Sequence, residues 1–284
     1  MNNTHFPDKS LNKIQNDLGD VFCDINTHLE VADIIRKHLT NQLDIREIAL
    51  NGLNLNNVKK IVDLGCGFGF FTRGLKGKVK NGTEILGIDR HKKNEQHYLR
   101  ACAETGLNGR FVSNGISEIE SLRRKSVDLV ICSYALYFFP EYIKQISEIV
   151  KDDGCFIAIT HSYPHMAEFT SYVKQILKKI GFDTSKQLPY EELINGFSDE
   201  NGKELLSSAF SNIEFKKVSS SLLFKYEDYS LFEKYFRFKK SFFIPDKNYD
   251  QDKLTEIILD SLRNDIKKNG EISISKEDMI FICR

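Results

Sequence analysis

What this chain has little of bounds it first. It carries no surplus of either charge: 40 Lys+Arg stand against 40 Asp+Glu in 284 residues, so no global field draws it to nucleic acid or to an anionic membrane. Lysine pairs such as Lys178-Lys179 and Lys239-Lys240 are scattered and read as solvated faces. The cysteines at 23, 66, 102, 132, 155 and 283 include no Cys-x-x-Cys and no histidine partners at zinc spacing, so no metal site is predicted. Several sit in apolar runs, where a thiol behaves as a small hydrophobe, and reduced, intracellular cysteines follow. No stretch approaches a membrane span, and Met1-Asn2-Asn3-Thr4-His5-Phe6-Pro7 has no basic region leading into an apolar one. A cytoplasmic protein is expected. Repeats and low-complexity tracts are absent too. The 41% of hydrophobic residues is enough for one large domain, or one domain with a substantial insertion.

The chain is organised around Ile61-Val62-Asp63-Leu64-Gly65-Cys66-Gly67-Phe68-Gly69-Phe70-Phe71. A short apolar run predicts a buried strand, and the alternating glycines that end it predict a turn into a helix starting near Phe70. Glycine admits φ > 0 and has no Cβ, so such a loop bends sharply with its backbone directly against a ligand. Asp63 sets a carboxylate beside it, which suits an ammonium or sulfonium and repels a pyrophosphate. A dinucleotide fingerprint would need a small residue where Phe70 stands, so that reading is disfavoured. The second landmark is Glu84-Ile85-Leu86-Gly87-Ile88-Asp89, an apolar strand ending in an acid 26 positions after Asp63. Asp89 is placed either to accept ribose hydroxyls or to cap the following helix, and its distance from the glycine loop favours the ribose.

Together these residues resemble the Asp/Glu-x-Gly-x-Gly-x-Gly signature and second-strand acid of class I S-adenosylmethionine-dependent methyltransferases, here of the small-molecule type. The resemblance spans about residues 58–161. It implies an α/β fold with a mostly parallel seven-stranded sheet, helices on both faces, an antiparallel last strand and helical lid insertions. It also implies a site for S-adenosyl-L-methionine lined by Asp63, Gly65, Cys66, Gly67, Asp89, Arg90, Asn114, Gly115, Ile116, Ser133 and Tyr134. In it Asp63, Gly65 and Gly67 anchor the methionine end, Asp89 the ribose, and Asn114 with Ile116 the adenine. The family usually has an acid where Asn114 stands, and here the side-chain carbonyl is the acceptor on offer.

The remaining elements follow in order. Helical spacing appears from about Leu29 to Leu39, with Leu29, Ala32, Ile35 and Leu39 near one face, and from Ile45 to Leu50. These helices either pack on the sheet or form a lid. A polar helix over about 92–105 stops at Gly106, and strands follow at 110–113 and 127–133. The helix 141–150 leads to the turn Lys151-Asp152-Asp153-Gly154 and a fifth strand, 155–160. A helix is expected over about 166–180, a loop with helices over 189–210, a strand within 213–224, a helix over 251–268 and a terminal strand at 279–283. The expected division is a helical cap, 1–57; the donor-binding core, 58–161; a helical insertion, 162–211; and the end of the sheet with an aromatic-rich lid, 212–284. That lid carries Tyr226, Tyr229, Phe232, Tyr235, Phe236, Phe238, Phe242, Phe243 and Tyr249, which either hold an apolar or ring-bearing acceptor or form the insertion's own core.

The chemistry implied is displacement at an activated methyl group, for which neither a metal nor a covalent protein intermediate is required. Orientation of donor and acceptor alone supplies ~7–11 kcal/mol of barrier lowering. A base is needed only where the nucleophile must lose a proton, and His161, His165 and Tyr134 are the candidates. The run Ser133-Tyr134-Ala135-Leu136 lacks the Asp/Asn-Pro-Pro-Tyr/Phe motif that grips a planar nitrogen, which disfavours a base or glutamine amide as acceptor. The expected acceptor is small and partly apolar or aromatic. The alternatives are a non-catalytic S-adenosylmethionine-binding module and a methyltransferase acting on RNA, protein or lipid.

Overall fold

A computed structural model describes residues 18, 20–244 and 250–284. The amino-terminal segment 1–7 and Tyr249, both named above, lie outside the described residues, and of Cys23 only the backbone is described. The chain opens with helices α1 (Ile25–His38) and α2 (Ile45–Leu50), then alternates through β1 (Lys60–Leu64), α3 (Phe70–Arg73), β2 (Glu84–Ile88), α4 (Glu95–Glu104) and β3 (Asn108–Val112). Next come β4 (Val127–Ser133), α5 (Ile143–Ile149), β5 (Val150–His161), α6 (Ala167–Lys179), α7 (Pro189–Ile194) and α8 (Gly202–Ser207). The last elements are β6 (Ile213–Lys225), α9 (Tyr229–Phe243), α10 (Gln251–Asn269) and β7 (Glu271–Cys283).

The seven strands form one sheet in the order β3-β2-β1-β4-β5-β7-β6. β1 runs parallel to β2 and β4, β2 to β3, and β4 to β5, whereas β7 runs antiparallel to β5. This is the expected mostly parallel, seven-stranded architecture. The strand order reverses between β1 and β4, the place at the carboxyl edge where sheets of this kind bind ligands.

Both sheet faces are covered, which is why the strands read as continuous apolar runs. On one face Ile61, Leu129, Ile131, Ile157, Ile159, Ile280 and Ile282 meet Ile45, Ala49 and Leu50 of α2, Phe71 of α3, and Tyr98 and Cys102 of α4. On the other, Phe156 stacks on Phe210 at 5.6 Å and Phe281 meets Phe197 edge-on at 5.6 Å. Of the two readings of the second helix, packing on the sheet is the one observed.

Two local features have physical reasons, the second of them a departure from expectation. The helix after the glycine loop is only four residues long, since Gly74 caps it and Gly77 at φ +69° turns the chain away. Lys151-Asp152-Asp153-Gly154 is not a turn before β5 but an irregularity inside it: Val127 pairs Val150 and Leu129 pairs Cys155. The extra residues on β5 have no partners on β4, so they bulge outward. Lys151 Nζ donates to Asp128 Oδ1 and ties the bulge down.

The chain divides into two compact units. One comprises Gln42–Tyr163, Gly196–Val218 and Asp278–Arg284 and holds the glycine loop. The other comprises the described part of Met1–Asn41 with Pro164–Asn195 and Ser219–Glu277. In this second unit α9 is amphipathic, and Phe232, Tyr235, Phe236, Phe242 and Phe243 are all buried. Phe169 of α6 meets the rings of Phe232, Phe236 and Phe243 edge-on at 6.1, 6.0 and 5.1 Å. These aromatics are therefore core of their own unit. On α1 the buried positions are Val31 and Ile34, while Leu29, Ala32, Ile35 and Leu39 are only partly covered. On the same helix His28 stacks on Phe238 of α9 at 5.6 Å.

Candidate functional site

The site is built from the glycine loop. Gly65, Gly67 and Gly69 lie at φ +63°, +50° and +82°, in the left-handed region that side chains resist. Each glycine meets a different demand. A Cβ on Gly65 would lie 2.4 Å from Cβ of Ala135, and one on Gly69 2.6 Å from Cβ of Ala101, so these two are closed against the loop after β4 and against α4. A Cβ on Gly67 would meet nothing within 4 Å. The middle glycine faces open space, as a backbone cradle requires.

Beneath the loop, Asp63 is 1% exposed and accepts from the Thr72 hydroxyl at 2.7 Å. Burial raises its pKa to about 7; the Thr72 hydrogen bond opposes the rise, and the Asp89 charge adds to it. Asp89 joins the two landmarks. Its Oδ2 accepts from the Gly67 N–H at 2.9 Å, and its Oδ1 accepts from the His91 N–H at 2.8 Å and from Asn94 Nδ2 at 3.2 Å. Asp89 closes the turn after β2 through His91 and sits half-buried at the rim of the glycine loop, but it does not cap the next helix, whose N-cap is Asn94.

Arg90 is exposed, its Nε 3.2 Å from His91 Nε2, and Gly115 stands beside it with φ +74°. Asn114 is exposed and donates through Nδ2 to Glu118 Oε2 at 2.9 Å, while Ile116 opens the 3-10 turn Ile116–Ser121. Glu118 was not singled out from sequence. It returns a carboxylate to the loop after β3, and the signal that could have found it is its spacing, four positions after Asn114 on a helical turn.

At the carboxyl edge the core face of β4, β5 and β7 changes character. Ile131 lies beside Ile157, which pairs Ile282; the next row holds Ser133, Ile159 and Ile280, and the next pairs His161 with Asp278. Apolar rows thus give way to hydroxyl, imidazole and carboxylate. The Ser133 Oγ is buried without a hydrogen-bond partner. Tyr134 leaves the strand at φ +56°, donates its N–H to the Ile159 carbonyl at 2.8 Å, and lays its ring 4.7 Å from that of His161. A non-glycine residue in that region costs ~1–3 kcal/mol and persists where surroundings enforce it. Here the Ile159 hydrogen bond and the neighbouring Gly65–Ala135 contact do so.

His161 Nδ1 lies 2.8 Å from Asp278 Oδ1, and the two side chains are 11% and 3% exposed. Asp278 was missed in the sequence because it stands 117 positions from its partner. The nearby alternatives for proton transfer are held protonated. Burial pushes the Tyr137 hydroxyl well up, and burial likewise raises the thiols of Cys132 and, with Asp63 and Asp89 adding to it, Cys66.

His165 falls in the other unit. It is 5% exposed, its Nδ1 donates to the Glu277 carbonyl at 3.1 Å, and its ring meets Tyr190 edge-on at 5.7 Å. Every other site residue expected from sequence, from Asp63 to His161, lies in the glycine-loop unit.

Residues 61–154 match the profile of a family described as a methyltransferase domain. A Saccharomyces cerevisiae protein named "Probable S-adenosylmethionine-dependent methyltransferase CRG1" is 27% identical over 57% of this chain and 58% of its own length. "Uncharacterized methyltransferase C70.08c" of Schizosaccharomyces pombe is 23% identical over 57% of this chain and 63% of its own length. The chain thus spans less than two thirds of either relative. Among solved structures, the cyclopropane synthase MmaA2 of Mycobacterium tuberculosis superposes with a TM-score of 0.50 at 18% identity, covering 99% of this chain and 100% of that one. At that identity the likeness is one of fold.

Proposed function

We propose that the chain transfers a methyl group from S-adenosyl-L-methionine to a small, partly apolar or aromatic acceptor, a reading supported by the match of residues 61–154 to a methyltransferase domain. The observation that carries the reading is the open space over Gly67, beside the Asp89 carboxylate that accepts from its N–H. Those features fit the donor: backbone without a side chain, and a half-buried carboxylate, Asp89, beside it. The unpartnered Ser133 hydroxyl adds a buried polar atom that a ligand at this edge would satisfy.

When bound, the donor supplies an activated methyl group with its leaving group already in place. The residues do the rest by position. Asp63, Gly65, Cys66 and Gly67 hold the methionine end; Asp89, with Arg90 beside it, holds the ribose; Asn114, Gly115 and Ile116 border the adenine. Ser133 and Tyr134 wall the place where donor and acceptor meet, and His161 is the candidate base. Retained polar groups at the end of β5 favour an enzyme over a module that only binds the donor. The described cysteines are free thiols, four of them buried, which supports a reducing compartment and hence the cytoplasm. Among the described residues, no helix is long and apolar enough to cross a membrane.

Titration calorimetry with S-adenosylmethionine and S-adenosylhomocysteine tests the reading. Saturable binding is expected, with at least about tenfold weaker affinity in Asp89→Ala, the loss of one or two hydrogen bonds to a charged group. Absence of binding by the wild-type protein would sink it.

A further inference from the structure

The pairing of His161 with Asp278 is more than a strand contact. The β5–β7 ladder is already set by five successive pairs, Phe156–Cys283 through Thr160–Met279, so a sixth pair is not needed to fix register. A buried charged pair is also a weak device for stability, because desolvation offsets the attraction. What the pair does accomplish is orientation. An ionised carboxylate only accepts, so Asp278 Oδ1 at 2.8 Å places the ring proton on Nδ1 and makes Nε2 the nitrogen that exchanges a proton. Titratable groups facing His161 within this unit include Asp278, Tyr134 at 4.7 Å and Tyr137 at 6.4 Å, the last nearly parallel at 17°. The flanking rings hold the imidazole plane.

We infer that Asp278 is a positioning residue that makes His161 the proton acceptor of the reaction, and that the substrate carries a dissociable proton on its nucleophilic atom. A hydroxyl or an ammonium meets that condition; a carboxylate does not. The inference rests on the methyltransferase reading. A carboxylate acceptor arrives without a proton, and the sulfonium is its own leaving group, so a built imidazole–carboxylate pair would have nothing to remove. For a hydroxyl, the proton passes from acceptor oxygen to Nε2 and the oxygen–carbon bond forms. The carbon–sulfur bond breaks with its electron pair remaining on sulfur. One positive charge enters on the sulfonium and leaves on the imidazolium.

The test uses the full chain labelled with ¹⁵N-histidine and saturated with S-adenosylhomocysteine. Long-range ¹H–¹⁵N spectra, with His161→Gln to identify the signal, should show His161 protonated at Nδ1. Its midpoint should fall by about one unit or more in Asp278→Asn, tenfold in the ionisation constant, and recover in Asp278→Glu. Protonation at Nε2, or a midpoint indifferent to Asp278, overturns the inference. The wild-type tautomer decides the point even if Asp278→Asn does not fold. A second arm supplies S-adenosylmethionine with millimolar p-cresol, benzylamine or p-toluate and detects S-adenosylhomocysteine by mass spectrometry. Turnover of p-cresol marks a hydroxyl acceptor and of benzylamine an ammonium, each with an acid limb that shifts in Asp278→Asn. Turnover of p-toluate alone, or of neither protic probe, overturns the acceptor class. Donor calorimetry on the same preparation separates the two failures: no donor binding sinks the methyltransferase reading, whereas donor binding with the wrong tautomer sinks only this inference.

Discussion

The backbone N–H of Gly67 donates to Oδ2 of Asp89 at 2.9 Å across 22 positions of sequence. The loop after β1 and the end of β2 are therefore one structure, and a ligand seated on the glycines lies beside that carboxylate.

The two neighbouring glycines should respond differently to alanine. In Gly65→Ala the new methyl would stand 2.4 Å from Cβ of Ala135 at φ +63°, and the clash adds to the backbone strain. A loss of at least ~2 kcal/mol in urea unfolding is expected, from left-handed strain plus overpacking. Gly67→Ala meets no atom within 4 Å and incurs strain alone, ~1–2 kcal/mol. Its methyl enters the open space, so donor binding in calorimetry should be lost while the fold persists.

Asp63 gives stability a pH dependence of definite sign. Its folded pKa of about 7 lies above the unfolded value of 3.8, so between them the folded state holds a proton that the unfolded state has released. Stability of the ligand-free protein then falls as pH rises through that window, with a slope approaching ~1.4 kcal/mol per unit from this group alone. Asp63→Asn should remove that contribution when unfolding free energies of the two proteins are compared from acid to neutral pH. A difference between them that does not change with pH would refute the assignment.

Ser133→Ala should separate ligand from fold. Removing a buried hydroxyl that has no partner costs no hydrogen bond, so thermal stability of the free protein should hold or rise by up to about 1 kcal/mol. Affinity for S-adenosylmethionine or acceptor should fall about threefold to tenfold, the worth of one hydrogen bond. A destabilised variant with unchanged affinity would mean the hydroxyl serves packing.

Phe236→Ala probes the second unit. Its ring is fully buried and stacks near Phe232 and Phe243 at 6.4 and 5.9 Å, so the cavity should cost ~3–5 kcal/mol in unfolding measurements. A wall residue of an acceptor pocket would instead tolerate truncation with a small change in stability.

The strands, the glycine loop and its two aspartates were legible because each depends on a few consecutive residues. Apolar runs that end in glycine or acid signal β1 and β2, and the apolar run of β4 closes at Ser133 where the periodicity predicts. The bulge at Lys151–Gly154 was not legible, since a Lys-Asp-Asp-Gly segment satisfies a turn equally well and only pairing with β4 makes it part of a strand. On α1 the apolar spacing admitted more than one stripe, and the facing helix chose Val31 and Ile34. For α9 the sequence offered pocket or core, and the packing of Phe169 against it decided for core.

By itself, then, the sequence determined the alternating α/β order, the turn that only glycine can make, and the acids at two strand ends, all products of local sterics and periodicity. The tertiary structure alone decided that Asp278 faces His161, that Gly65 lies under Ala135 and that Asp63 is sealed from water. Each of these depends on the register between segments far apart in the chain, and register is set by how side chains pack once the strands meet.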